Sequence, residues 1–289
     1  MARVPSCRGW GAEDWCDWFE RLLGLARGHL ADIHGGGDET AGHVHEARKL
    51  LKRLRSGTRL LGEVVDGDCL KRNRVLFRDA SRLLAGSRDG TVRLETFDEL
   101  VGGGKVPEGD EGLMTARARL VEQAACGEER AREGAAGALA LLGQVSFPEE
   151  AWRAAGKAEV RGGLRRLLKR ARREYRDLVD GRSREFHELR KRVKDLLYAL
   201  QALPGDARGP RRRALKSLRV LEESLGLQND LFVLGEWFRQ EGLGPAECPA
   251  FWDASTRRDR KLRKAVLREG AVLESLGKSP KSRKAFASA

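Results

Sequence analysis

Residues 186–197 read FHELRKRVKDLL and carry the clearest structural signal in the chain. Their apolar members recur every three or four positions, which is the spacing of one buried stripe on an α-helix. His187 and the basic residues Arg190, Lys191 and Lys194 recur at the same interval, so they share a neighbouring face of that helix. The stretch predicts a helix with one buried side and one cationic side.

The same pattern occurs a second time, earlier in the chain. Residues 44–52 read VHEARKLLK, with His45 at the place of His187 (187 − 45 = 142). The offset also places Lys52 on Lys194 and the apolar stripe of one segment on that of the other. Two helices with matching apolar and basic rows predict a duplicated unit.

Helical periodicity extends over most of the remaining sequence, and no alternating run typical of a β-strand occurs. The pattern therefore predicts an all-α fold of two helical bundles in tandem. We expect a leader at 1–12, a first half at 13–147, a second half at 148–276 and a frayed tail at 277–289. Two glycine-led segments, Gly86–Gly90 and Gly226–Asp230, are expected to interrupt helices at equivalent places. Asp89 and Asp230, which lie in these segments, are expected to cap a helix or to brace an arginine.

The composition indicates an anionic partner. The 289 residues include 56 Lys and Arg against 43 Asp and Glu, which gives a net charge of +13. Such a balance favours nucleic acid, an anionic membrane surface or a phosphate-rich polymer. Aromatic residues make up only 6% of the chain, which is few for stacking against bases.

Several classes of protein are not indicated. The five cysteines are widely spaced without a CxxC pair, so we expect neither a disulfide framework nor a zinc site and place the chain in a reducing cytoplasm. No signal peptide or membrane-spanning segment is predicted. His43 and His45 are two residues apart and do not form a metal pair on one helix face. No catalytic cluster of Ser, His, Asp or Glu stands out, so no catalytic residue, metal or cofactor is predicted.

The basic residues are concentrated rather than spread. Between Arg161 and Arg219 the chain has 20 Lys and Arg against 7 Asp and Glu. Like charges stacked three and four apart destabilise a helix by roughly 0.2–0.5 kcal/mol per pair. Solvated faces normally alternate the sign of charge, so these rows indicate that an anion lies among them.

The two motif copies resemble the signature helices of the CHAD family. That resemblance implies two four-helix bundles related by a pseudo-twofold axis, with a basic channel between them. It also implies non-catalytic binding of long-chain inorganic polyphosphate, often at polyphosphate granules. The motif positions that match are His45, Arg48, Lys49, Lys52, His187, Arg190, Lys191 and Lys194.

Helical spacing adds further candidate ligands for the polyphosphate. They lie on the same or neighbouring helices and extend the basic rows. A general nucleic-acid-binding or polyanion-binding protein is the alternative function, and a phosphohydrolase is a third. The added candidates are Arg53, Arg55, Arg74, Arg78, Arg166, Lys169, Arg170, Arg173, Arg212, Lys216 and Arg219.

Overall fold

The chain folds entirely into helices over the part that the computed structural model describes. That part comprises residues 5–36, 39–62, 65, 67–102, 110–148, 152–153, 155–183 and 185–276. It contains ten α-helices and no β-strand, which confirms the all-α prediction. The helices are α1 Ala12–His34, α2 Thr40–Leu61, α3 Gly67–Leu83, α4 Ala85–Leu100, α5 Glu111–Ala125, α6 Gly127–Gly143, α7 Lys157–Val179, α8 Phe186–Ala202, α9 Gly209–Gln240 and α10 Pro249–Ser275.

Eight of the ten described helices form two groups of four. In the first, α1 packs on α2, α2 on α3, α3 on α6 and α6 on α1; in the second, α7 to α10 close a ring in the same way. The two groups meet where α2 packs against α7 and α8. Helices α2 and α8 carry the two copies of the repeated motif, so the motif copies lie at the centre of the molecule. A pseudo-twofold axis between the groups stays a prediction.

The apolar stripes that the sequence predicts are buried. On α8, Phe186, Leu189, Val193, Leu196 and Leu200 all lie in the core. The equivalent positions of α2 are buried as well. On α7, the apolar residues that recur three or four apart, from Leu164 to Leu178, are also buried. Because one side of each motif helix is buried in the core, the basic row on the neighbouring face points away from the core.

Two glycines let neighbouring helices approach α2 closely. A Cβ at Gly57 would lie 2.7 Å from ring atoms of both Trp18 and Phe19 on α1. A Cβ at Gly163 of α7 would lie 1.9 Å from the carbonyl oxygen of Leu60. Helix α2 is therefore held between α1 and α7 by contacts that leave no room for a side chain at either glycine.

A second core joins the two halves of the sequence. It contains Phe97 from α4, Leu113 from α5, Trp237 and Phe238 from α9, and Phe251 from α10. The rings of Phe238 and Phe251 stack with their centroids 3.6 Å apart. Helices α4 and α5 thus contribute to a core shared with α9 and α10, which links the halves predicted at 13–147 and 148–276. The boundary between the two halves stays a prediction.

Three expectations about breaks are wrong. The segment Gly86–Gly90 lies inside α4, and Gly226–Asp230 lies inside the uninterrupted α9. Gly90 serves packing instead, because a Cβ there would lie 2.8 Å from the carbonyl oxygen of Gln123 on α5. The segment from 113 to 142 is rich in alanine, and its sequence predicts a single helix; in the structure it is divided into α5 and α6 at Cys126.

The predicted leader is packed rather than loose where the structure describes it. Cys7 is buried and its backbone N–H donates to the carbonyl of Ala202, 2.8 Å away. The indole of Trp18 donates to the carbonyl of Pro5 at 3.0 Å. The predicted frayed tail, 277–289, lies outside the described residues. None of the described helices combines the length and the apolar character needed to cross a membrane.

Candidate functional site

The contact between α2 and α8 places the two basic rows beside each other. The hydroxyl of Ser56 donates to the backbone carbonyl of Asp195 at 2.6 Å, and the guanidinium of Arg59 pairs with the Asp195 carboxylate at 2.5 Å. Burial raises the pKa of Asp195, and the charge of Arg59 opposes that shift. A half-buried arginine and a buried carboxylate therefore hold the motif helices in register.

A cleft of about 450 Å³ opens beside this contact, between α2, α4, α8 and α9. Both copies of the motif contribute cations to it, and α4 adds one more. Acidic side chains from α4 and α9 lie on its walls. The basic residues are His45, Arg48, Lys49, Lys52, Arg93, Arg190 and Lys194, and the acidic ones are Asp89, Glu222, Glu223 and Asp230.

Arg48 serves the fold as well as the cleft. Its guanidinium donates to the carbonyls of Leu84 and Ala85, at 2.9 and 3.0 Å, where α3 meets α4. The carboxylate of Asp89 lies 3.7 Å from the same nitrogen, which confirms the prediction that Asp89 braces an arginine. Burial lowers the pKa of Arg48, and the charge of Asp89 opposes this.

Two lysines of the cleft have carboxylate partners. Lys49 pairs with Glu46 at 2.9 Å on the same helix. Lys194 pairs with Glu222 of α9 at 2.9 Å, and burial together with the charge of Arg190 lowers its pKa. These carboxylates fix the positions of the two ammonium groups and offset part of the local positive charge.

Lys52 and Arg190 are different, because neither forms an ion pair or a hydrogen bond within the part of the chain that the structure describes. The Nε of Arg190 is buried without a hydrogen-bond partner. Burial, and then the charges of Lys194, Arg48 and Arg190, lower the pKa of Lys52 to about 7. The charge of Glu222 opposes this shift only in part. Desolvated basic groups without a direct ion pair destabilise a protein, and an anion bound in the cleft would stabilise both side chains.

A second cleft of about 390 Å³ adjoins the first at Lys49 and Tyr198. Three arginines line it, and no acidic residue is among the described residues of its wall. Arg53 lies 5.4 Å from the centroid of the Tyr198 ring, a cation–π geometry, and Arg219 is exposed. Arg211 donates to the carbonyl of Pro204 at 2.8 Å, so it also secures the start of α9.

A separate basic cluster forms at the C-terminal half of α2. There the charges of Arg59 and Arg170 help lower the pKa of Arg74, although burial is the larger cause. Arg55 is similarly affected by burial and then by Arg59. Arg78 pairs instead with Asp79 at 2.8 Å. The cluster thus brings together four of the predicted residues: Arg55, Arg74, Arg78 and Arg170.

The remaining predicted residues line neither cleft. His187 lies 3.1 Å from the side-chain oxygen of Asn229, and exposed Lys191 pairs with Glu188 at 2.7 Å. Arg173 lies 3.9 Å from Asp177. Arg166 is half-buried on α7, and the exposed residues of this group are Lys169, Arg212 and Lys216.

Two arginines that line the clefts are not among the candidate polyphosphate ligands predicted from the sequence. Arg93 lies on α4, in a segment whose helix the sequence analysis did not orient. Arg211 stands eight residues before Arg219, with Leu215 midway, and all three line the second cleft. The i, i+4, i+8 spacing could have identified Arg211 in place of Arg212 and Lys216.

A family model and one crystal structure agree with this architecture. A family model described as the CHAD domain matches residues 19–239. The crystal structure of the CHAD domain from the plant Ricinus communis is 18% identical with a TM-score of 0.59, and the match covers 100% of this chain and 96% of that one. PptA from Streptomyces chartreusis is 18% identical with a TM-score of 0.49, over 89% of this chain and 98% of that one. No curated protein matches the chain.

Proposed function

The chain belongs to the CHAD family, and we propose that it binds inorganic polyphosphate in the cleft between α2 and α8 without hydrolysing it. The observation that carries the proposal is the pair Lys52 and Arg190, two partly buried basic groups in one cleft that form no ion pair with a described carboxylate. Leaving a buried cation unpaired costs free energy, so the arrangement is favourable only when an anion completes it.

The mixture of side chains suits a phosphate polymer. The planar guanidinium of Arg190 can meet two phosphate oxygens at once, while the ammonium of Lys52 acts as a point charge. The second cleft continues the cationic surface past Lys49 toward Arg53 and Arg219. A polyphosphate, with a negative charge on every phosphate unit, could occupy both clefts, whereas a single small anion would leave one of them unfilled.

The proposed absence of catalysis rests on how the carboxylates of the cleft are used. Glu222 pairs with Lys194, and Asp89 lies against Arg48. Two of the four carboxylates of the cleft are thus paired with cations and are poorly placed to hold the divalent metals that phosphoryl transfer requires. We further propose a cytoplasmic location, with polyphosphate granules as the place where the ligand is met.

Nucleic acid is the second candidate, which the net charge of +13 favours. A single-stranded nucleic acid is normally held by aromatic rings on which its bases stack. The aromatic side chain shared by the two clefts is Tyr198, and Arg53 already lies over its ring. The site is therefore better suited to phosphates without bases.

The test combines binding and turnover in one preparation. Labelled long-chain polyphosphate is titrated at physiological salt, and phosphate release is followed with Mg²⁺ or Mn²⁺ present. We expect saturable binding and no release above the buffer control. Absence of binding would refute the proposed ligand, and metal-dependent release that survives repurification would refute the non-catalytic role.

A further inference from the structure

Three metal-binding side chains meet where α1 packs on α2, outside the two clefts. His29 and Asp32 lie one turn apart near the C-terminal end of α1, and His43 lies in the first turn of α2. Their ligand atoms all lie within 4.8 Å of one another. Both histidines are half-buried and Asp32 is exposed. The two histidines are therefore partly enclosed by the protein, while Asp32 leaves one side of the cluster open to solvent.

The distances match those of a shared metal ion. The Nδ1 atoms of His29 and His43 are 3.2 Å apart, and the Nδ1 of His43 is 3.1 Å from a carboxylate oxygen of Asp32. An ion about 2.0–2.1 Å from each ligand in a tetrahedral arrangement would hold such atoms about 3.3–3.4 Å apart. These two distances are already close to that value. The third pair, His29 and Asp32, lies within 4.8 Å, so one of these two side chains must turn inward for all three groups to bind one ion.

Proton counting supports the same arrangement. When neutral, His43 carries one proton on one of its two ring nitrogens. A proton on Nδ1 can be donated either to Asp32 or to the Nδ1 of His29, but it cannot form a linear hydrogen bond with both acceptors. A cation between the three groups would instead be met by a lone pair from each of them.

We propose that His29, Asp32 and His43 form a binding site for a divalent transition metal of the zinc class, with water in the remaining position. Two imidazoles and a carboxylate suit zinc, cobalt or nickel, whereas magnesium and calcium prefer all-oxygen ligands. His45, two residues after His43, lines the phosphate cleft instead. The metal would join α1 to the N-terminal end of α2 and so stabilise the helix that supplies half of the cleft.

The test uses the tag-free, metal-stripped chain and Zn²⁺ alone, without polyphosphate, which would itself chelate the ion. Calorimetric titration should give one site per chain. The melting temperature should rise by about 5 °C at a free Zn²⁺ concentration roughly 100 times the dissociation constant. A Co²⁺ titration should give a visible absorption band that reports the coordination geometry.

Matched variants locate the site. His29→Gln and His43→Ala should each abolish both the titration signal and the thermal shift, while His34→Ala and His187→Ala should leave both unchanged. His34 is an exposed histidine on the same helix as His29, and His187 is the exposed histidine of the second motif copy. Circular dichroism confirms that each variant is folded.

Two results would overturn the proposal: no saturable Zn²⁺ binding by the wild-type chain, or binding that persists in the folded His29→Gln and His43→Ala variants. Neither result would affect the proposed polyphosphate cleft, because these three residues do not line it. Conversely, a chain that binds Zn²⁺ but not polyphosphate would refute the polyphosphate cleft and leave the metal site supported. The two proposals can therefore be refuted independently.

Discussion

Lys52 and Lys194 occupy equivalent positions in the two motif copies and line the same cleft, where the charge of Lys194 helps lower the pKa of Lys52. Burial is the larger cause, and together they bring that pKa to about 7 from an ordinary value of 10.5. The duplicated sequence thus places like charges together in the fold. Such an arrangement trades stability of the free protein for affinity toward an anion.

Replacing Lys52 by methionine should stabilise the free protein. The side chain keeps its length but loses a charge whose folded-state pKa is depressed, so the free energy of unfolding at pH 6–7 should rise. We expect about 1–3 kcal/mol, since one pKa unit corresponds to about 1.4 kcal/mol and solvent screening reduces the effect. Urea unfolding at pH 6.5 measures it.

Lys49→Met is the matched control for Lys52→Met. Lys49 lines the same cleft but is paired with Glu46, so its removal should not stabilise the protein. Both variants should bind polyphosphate more weakly than the wild type. A Lys52→Met protein that is less stable than wild type would show that the ammonium is not strained in the free cleft.

Affinity for polyphosphate should fall as the pH rises above 7. Nearby phosphates favour the charged ammonium, so above pH 7 binding requires Lys52 to take up a proton. The dissociation constant should therefore increase about tenfold between pH 7.0 and 8.5, as measured by titration at constant ionic strength. In Lys52→Arg, which stays charged throughout, most of this dependence should disappear. An equal pH dependence in both proteins would assign it to another group.

The free energy of unfolding of the ligand-free protein should rise as the pH increases from about 7 toward 10.5, whereas the affinity for polyphosphate falls. Between the folded pKa of Lys52, about 7, and its ordinary value of 10.5, the unfolded chain binds more protons than the folded one. The contribution of Lys52 to the free energy of unfolding therefore increases with pH across this window. Comparing wild type with Lys52→Met at pH 7 and pH 9 isolates it. The difference between the two proteins should shrink at the higher pH.

Charge reversal separates the cleft from the rest of the basic surface. Arg190→Glu should weaken polyphosphate binding by at least about tenfold and reduce the slope of log affinity against log salt by about 1 or more. Arg212→Glu makes the same change of charge at an exposed position that lines neither cleft, and its effect should be small. Equal losses in the two variants would indicate a diffuse electrostatic surface without a defined cleft.

The close contact between α7 and α2 gives a prediction about stability alone. Gly163→Ala would place a Cβ 1.9 Å from the carbonyl oxygen of Leu60, so the helices must separate. We expect a loss of about 1–3 kcal/mol, read from thermal or urea unfolding. Gly24→Ala on the exposed side of α1, where no described atom lies within 4 Å of the new Cβ, should instead stabilise by about 0.5–1 kcal/mol. Similar changes in both variants would contradict this packing.

The apolar periodicity of α8 and α2 was sufficient to predict which side of each helix is buried. It could not predict how the helices cross, and the crossing determines which basic residues meet. His45 and Lys49 line the cleft, whereas His187 and Lys191, their sequence equivalents, lie outside it. Equal sequence patterns thus acquire unequal roles, because the neighbours α4 and α9 close different parts of the two motif helices.

Contacts between distant segments account for what the sequence analysis missed. The glycines of α4 and α9 suggested breaks, but packing against α5 and α10 keeps both helices continuous. The sequence predicted no metal site, because His43 was compared only with His45 on its own helix. His29 lies 14 residues away, and only the pairing of α1 with α2 brings the two imidazoles together.

The central claim is that the cleft between α2 and α8 is built for phosphate chains rather than for nucleic acids. The most direct measurement is competition: long-chain polyphosphate, bound at physiological salt, is displaced with single-stranded RNA, DNA and triphosphate matched in total charge. The account predicts that only unlabelled polyphosphate competes efficiently, and that Arg190→Glu removes this preference. Displacement by RNA or DNA at equal charge concentration would contradict the account and identify the cleft as a general polyanion surface.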